Sequence, residues 1–368
     1  MFINNIIALL LSSALASAQQ DLVSVLQSQS DLSTLTAVVP KLPEVQEWIG
    51  SASNLTLLLP TNDAITSLPS DSWEGKIFSE MDIDGIAAIL SLHVINGVYK
   101  STDFKDSPTF VKSVLTDIEP IGGKPVANVT GGQNVGLVLN GSDATCLSGY
   151  LSTSKVLEAD IPAGNNLIIH KIDQVLRLPL NVSATAEKLE LTGALGALNA
   201  TGLTDTADTI ADLTIFIPSN EAFEAIESVV ANTTMEMLTG ILSYHAIAGS
   251  VLFSSDLSNT TVPSLTPGMN LTVTVLDDGT VMIDDAKVIT PNVILSNGVA
   301  HVIDSVLMPS MPGMTAGGYG PPMMPGGGGG NMTNATTTPM PYTGEAAGQL
   351  AKFSATAGVV LLAVMLAL

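Results

Sequence analysis

The chain has 368 residues, with 34 acidic side chains against 12 basic ones and a formal charge of −22. Arg177 is its single arginine, and no basic stripe exists. Phosphate recognition is built from arginine forks and dense positive charge, so nucleic-acid and nucleotide partners are disfavoured and no nucleic-acid partner is expected. Cys146 is the only cysteine, so no intrachain disulfide can form and any domain must be held by its buried core. A half-buried thiol is the expectation for it, ahead of an intermolecular bridge.

Residues 1–18 read as a secretory signal peptide. Ile6 to Leu11 is an uncharged apolar stretch too short to cross a bilayer, and Ala16-Ser17-Ala18 offers a small-residue cleavage site before Gln19. The usual basic residue ahead of the apolar stretch is missing.

Beyond this segment one pattern is written twice. Residues 55–64 read Leu-Thr-Leu-Leu-Leu-Pro-Thr-Asn-Asp-Ala, and residues 213–222 read Leu-Thr-Ile-Phe-Ile-Pro-Ser-Asn-Glu-Ala. An apolar run bounded by Pro60 or Pro218 suits a buried strand. Thr61 or Ser219 then stands where a helix N-cap is needed, ahead of Asn62 or Asn220, with Asp63 or Glu221 favoured by the helix dipole. The second block, Leu90 to Gly97 containing His93, is echoed by Leu242 to Gly249 containing Tyr244 and His245. Each follows a helical pattern and ends on a turn glycine. Residues 101–150, richer in Gly, Asn and Asp, read as strands with long loops. The third block, Asn166 to Asp173 with His170, recurs as Gly298 to Asp304 with His301, and both copies run on through Val-Leu to a proline. Period-two alternation puts each of these histidines on one strand face and Asp173 or Asp304 on the other, leaving the acid to cap a turn or bond to backbone.

These ordered blocks, which contain all four histidines, resemble the fasciclin (FAS1) domain family. The likeness covers most of residues 21–309. Leu92 departs from it, standing where the family usually has a tyrosine. The resemblance implies an α+β fold: two tandem fasciclin-like domains, 19–180 and 181–309, each a β-sandwich-like wedge with packed helices. It also implies a role in cell–cell or cell–matrix adhesion, often in anchored form.

Residues 310–343 are dominated by Met, Pro, Gly and Thr, a composition unable to bury a core, and read as a disordered stalk. Residues 344–368 have the layout of a glycosylphosphatidylinositol signal: small residues, a polar spacer, then the apolar run Gly358 to Leu368. Ala346 is the expected attachment residue and Gly344 the alternative. Asn-x-Ser/Thr acceptor sites fall at Asn54, Asn128, Asn140, Asn181, Asn199, Asn232, Asn259, Asn270, Asn331 and Asn334, consistent with glycan-covered extracellular surfaces.

Chemistry-bearing constellations are absent from the sequence. The histidines have no His-x-x-x-His or Glu-x-x-His spacing, Cys146 has no Cys-x-x-Cys partner, and there is no Gly-x-Ser-x-Gly elbow. No catalytic, cofactor-binding or metal-binding residue is therefore assigned. The expected role is adhesion at the extracellular face of the plasma membrane or in the cell wall, through surface proteins or wall and matrix glycans. The alternative is a module binding a small ligand or carbohydrate in an interdomain cleft. Few Ala-Pro, Ser-Pro or Thr-Pro pairs occur, unlike the arabinogalactan-bearing plant members of the family, which points to a fungal or other microbial source.

Overall fold

The computed structural model describes residues 22, 24–42, 53–116, 126–230 and 233–309. The signal segment, Asn232, the stalk with Asn331 and Asn334, and the tail with Gly344 and Ala346 lie outside the described residues.

The first copy of the sequence pattern builds β1 (Leu55–Pro60), β2 (Val94–Asn96), β3 (Thr109–Lys112), β4 (Asn134–Asn140), β5 (Asp143–Leu147), β6 (Thr153–Pro162) and β7 (Leu167–Ile172). They form a seven-stranded sheet ordered β2-β1-β7-β6-β5-β4-β3. The second copy builds β8 (Leu213–Pro218), β9 (Ala246–Ile247), β10 (Thr260–Pro263), β11 (Asn270–Val275), β12 (Val281–Ile283), β13 (Ala286–Leu295) and β14 (Gly298–Ile303). Its sheet has the same connectivity, β9-β8-β14-β13-β12-β11-β10.

Pairing is antiparallel except between β1 and β7, and between β8 and β14, which run parallel. Every residue of these four strands is buried. Parallel strands covered on both faces read as continuous apolar runs, which explains why Leu57-Leu58-Leu59 and Ile215-Phe216-Ile217 lack alternation. Even the register is shared, with Leu58 opposite His170 and Phe216 opposite His301. At the start of β14, a Cβ on Gly298 would lie 1.8 Å from the Leu213 carbonyl oxygen, so only glycine allows that approach.

Both long strands, β6 and β13, are bulged at matching places, with register shifts between Val156 and Ile161 and between Val288 and Val293. Each irregularity includes a residue with left-handed backbone, Asp160 (φ 61°) or Asn292 (φ 64°).

Helices cover the sheets, and several are capped by a side chain that precedes them. Ser72 accepts the Gly75 N–H ahead of helix Trp73–Glu80, Asp82 accepts the Gly85 N–H ahead of Ile83–Leu92, and Thr234 accepts the Met237 N–H ahead of Met235–Tyr244. Among the described residues no helix is long and apolar enough to cross a membrane.

The two sheets lie within one compact unit, which ends at Pro309, and meet along a defined seam. Phe110 and Phe253 stack with ring centroids 3.7 Å apart and an interplanar angle of 6°. Gln133, fully buried, donates from Nε2 to the carbonyls of Leu295 and Ser296 at 3.1 and 3.2 Å. Ser296 N–H in turn donates to the Leu180 carbonyl at 2.8 Å. Beside the seam, Arg177 pairs with the buried Glu74 at 2.9 Å, and Glu74 also accepts the Leu178 N–H at 3.1 Å. The sole arginine thus fastens the chain leaving β7 to helix Trp73–Glu80.

Candidate functional site

The residues repeated in the sequence form duplicate sets of bonds. Thr61 and Ser219 cap as expected, accepting the N–H of Ala64 and Ala222, each at 3.2 Å. Pro60 and Pro218 end their strands opposite Ile172 and Ile303. Asn62 and Asn220 reach back to the preceding helical layer. Asn62 accepts the Thr34 N–H at 2.9 Å and donates to the Ser30 carbonyl at 3.0 Å. Asn220 accepts the Gly193 N–H at 3.0 Å and donates to the Glu190 carbonyl at 2.8 Å.

His93 and His245 sit just past their helices, buried. Nε2 of His93 accepts the Leu176 N–H at 2.9 Å, and Nε2 of His245 accepts the Leu307 N–H at 2.9 Å. The proton is thereby fixed on Nδ1, which donates to Ile89 O at 2.7 Å in one copy and to Ile241 O at 2.8 Å in the other. Burial holds both rings down to about 4, offset in part by those backbone bonds.

His170 and His301 have the opposite tautomer. Nε2 donates to the Tyr99 or Leu252 carbonyl, at 2.8 and 2.9 Å, while Nδ1 faces the N–H of the bulge residue Asp160 or Asn292, at 3.2 and 3.4 Å. Burial likewise lowers His301 to about 4. All four rings therefore have both nitrogens bonded to backbone groups. Asp173 and Asp304 accept the N–H of Lys155 and Lys287 at 2.7 and 2.8 Å, across to the bulged strand.

Tyr244 is buried, with its hydroxyl 2.7 Å from Asp284 Oδ2 and 2.9 Å from the Asn270 carbonyl. Burial first, then the Asp284 carboxylate, pushes its phenol well above the ordinary range. Leu92 occupies the matching place and is wholly buried, so the first copy keeps the shape and loses the polar tie. Tyr244 and His245 are therefore both packed into the core. Cys146 is buried completely, beyond the half-buried expectation, because β5 turns it into the core; burial lifts its thiol to about 12. No group of His, Cys, Asp and Glu that could hold a metal exists among the described residues.

Of the acceptor asparagines, Asn54, Asn140, Asn199, Asn259 and Asn270 are exposed. Asn128 and Asn181 are half-buried and bonded. Asn181 caps helix Val182–Lys188 through the Ala184 N–H and donates to Asp208, which departs from a uniformly open glycan surface.

A cavity of about 360 Å³ opens near the chain crossover, with Trp73, Asn181, Glu187, Asn199 and Thr204 in its wall. Sequence reasoning missed this cavity and the partners of Gln133 and Glu74, which have no local pattern. It also passed over Thr56 and Thr214, although both stand in the repeated Leu-Thr. Each hydroxyl donates to one loop carbonyl, Gly97 or Ser250, and accepts one loop N–H, Tyr99 or Leu252.

The fasciclin domain model matches residues 19–179 and 189–309. A fasciclin-like arabinogalactan protein of Arthroderma benhamiae is 29% identical over 280 residues, which is 76% of this chain and 64% of that protein's length. One from Phaeosphaeria nodorum is 28% identical over 302 residues, 81% of this chain and 91% of that protein. Among solved structures, the FAS1 domain pair of the insect cell adhesion molecule fasciclin I matches at 19% identity and a TM-score of 0.35, covering 76% of this chain and 97% of that one. With one seven-stranded unit built twice and the family model matched over both copies, this chain belongs to the fasciclin domain family as a tandem pair.

Proposed function

We propose that this protein is a surface or wall-associated adhesion protein that acts by binding and not by catalysis, its docked fasciclin units contacting proteins or glycans with their outer faces. The observation that carries this reading is the fate of the repeated residues: every motif histidine is buried and bonded to backbone, so recognition falls to exposed surface. The names of the fungal relatives, fasciclin-like arabinogalactan proteins, support a wall-associated setting. In this proposal the signal segment directs secretion, the 310–343 stalk holds the pair off the membrane, and a lipid attached at Ala346 or Gly344 anchors it. Treating intact cells with phosphatidylinositol-specific phospholipase C is expected to release the protein. Retention in the membrane fraction would contradict the anchor, and failure of the released protein to bind wall polysaccharide or surface protein would contradict adhesion.

A second reading, carbohydrate binding, is favoured by one observation: the 360 Å³ cavity combines an indole, Trp73, with a carboxylate and amides. It expects a thermal shift with neutral oligosaccharides that Trp73→Ala abolishes. No shift with any of them would remove this reading.

A further inference from the structure

We propose that glycosylation of Asn128 and docking of the two fasciclin units exclude one another, so that the Asn128-Val129-Thr130 acceptor site serves as the latch between them. In the docked pair five polar groups of this tripeptide are bonded across the seam. Asn128 N–H donates to the Ser296 carbonyl at 2.6 Å, and its own carbonyl accepts the Asp212 N–H at 3.3 Å. Its Nδ2, the atom a glycan would modify, donates to the Thr209 carbonyl at 3.0 Å. Thr130, the hydroxyl residue that makes the tripeptide an acceptor, donates from N to Asp212 Oδ1 at 2.7 Å and from Oγ1 to Asp212 Oδ2 at 2.5 Å. Hydrogen bonds to a carboxylate are the strong kind, and one carboxylate takes both of Thr130's donors.

The consequence is steric as well as chemical. Backbone bonds on either side of the Asn128 side chain hold Nδ2 against residues 209–212, the turn that leads into β8. A glycan replaces one of the two Nδ2 hydrogens and sets a sugar ring beside residues 209–212, crowding the turn that carries Asp212. Transfer is open only while residues 209–212 are not yet seated, so docking and transfer compete for the same asparagine. Asn140, exposed at the end of β4, faces no such competition.

The test is glycopeptide mass spectrometry of the full-length secreted protein, with small-angle scattering on the same sample. The expected result is occupancy at Asn128 lower than at Asn140 by roughly ten-fold, and scattering from a closely docked pair. Asp212→Ala, which removes the carboxylate from Thr130, is expected to raise Asn128 occupancy several-fold and to expand the pair. Molecules fully glycosylated at Asn128 that still scatter as a docked pair would overturn the proposal. So would Asn128 occupancy in Asp212→Ala equal to that of the native protein, since docking would then not be what keeps the site empty.

Discussion

Nε2 of His245 accepts the backbone N–H of Leu307 at 2.9 Å, joining the end of helix Met235–Tyr244 to the chain that leaves β14. The same bond joins His93 to Leu176 in the first unit. Both leucines belong to the Val-Leu that follows each closing motif, so the second and third sequence blocks are bound together by one ring. His245→Ala strands the Leu307 N–H and the Ile241 carbonyl in the core, each costing about 1–3 kcal/mol. A loss of about 2–5 kcal/mol is expected in chemical denaturation, and a smaller one for His93→Ala, whose backbone N–H still reaches the Ile89 carbonyl at 3.3 Å.

Acid should act through the same rings. His93, His245 and His301 are held near 4 when folded, below their unfolded value of 6.5. The unfolded chain therefore binds more protons between those values, and stability falls as pH drops from about 6.5 towards 4. Each ring contributes up to about 3 kcal/mol of this loss. Melting temperature measured across that range should fall, and His301→Gln should flatten the slope.

The two copies differ at one informative place. Tyr244→Phe removes the hydroxyl from Asp284 and should cost about 1–2 kcal/mol without altering the fold. Leu92→Tyr, which restores the family residue in the first copy, puts a ring and a polar atom into a fully buried leucine site, and should cost about 1–3 kcal/mol. Thermal denaturation of both variants checks the pair.

Charge pairs should separate by burial. Glu74→Ala leaves Arg177 without its carboxylate and the Leu178 N–H without an acceptor, a loss of about 3–5 kcal/mol. Lys155 and Asp143 pair at 2.8 Å with both side chains nearly half exposed, and Asp143→Ala should cost less than about 1 kcal/mol. Urea midpoints at constant slope distinguish the two.

Much of this architecture was legible because its signals are local. Strand, proline, cap and helix follow one another within residues 55–64 and again within 213–222, and short-range hydrogen bonds enforce that order. The histidines were recognisable as repeated, yet their bonding was not, since His245 and Leu307 are 62 residues apart and nothing near either names the other. Gln133 shows the limit more sharply: its partner carbonyls lie 162 and 163 residues on, at the end of β13 and in the turn after it. The bulges at Asp160 and Asn292 escaped because Asp and Asn tolerate left-handed backbone without requiring it. Asn128 reads as an ordinary acceptor site, and only the fold puts Asp212 against it.

The claim at the centre of this account is that the motif histidines hold the fold and take no part in recognition, and imidazole nitrogen NMR tests it most directly. His93 and His245 should appear as neutral rings protonated on Nδ1 and His301 as a neutral ring protonated on Nε2, while His170 should carry its proton on Nε2. Their signals should be unmoved by wall polysaccharides or divalent metal at neutral pH. A ring that titrates near its ordinary value for His93, His245 or His301, or any of the four shifting on addition of ligand or metal, would contradict it.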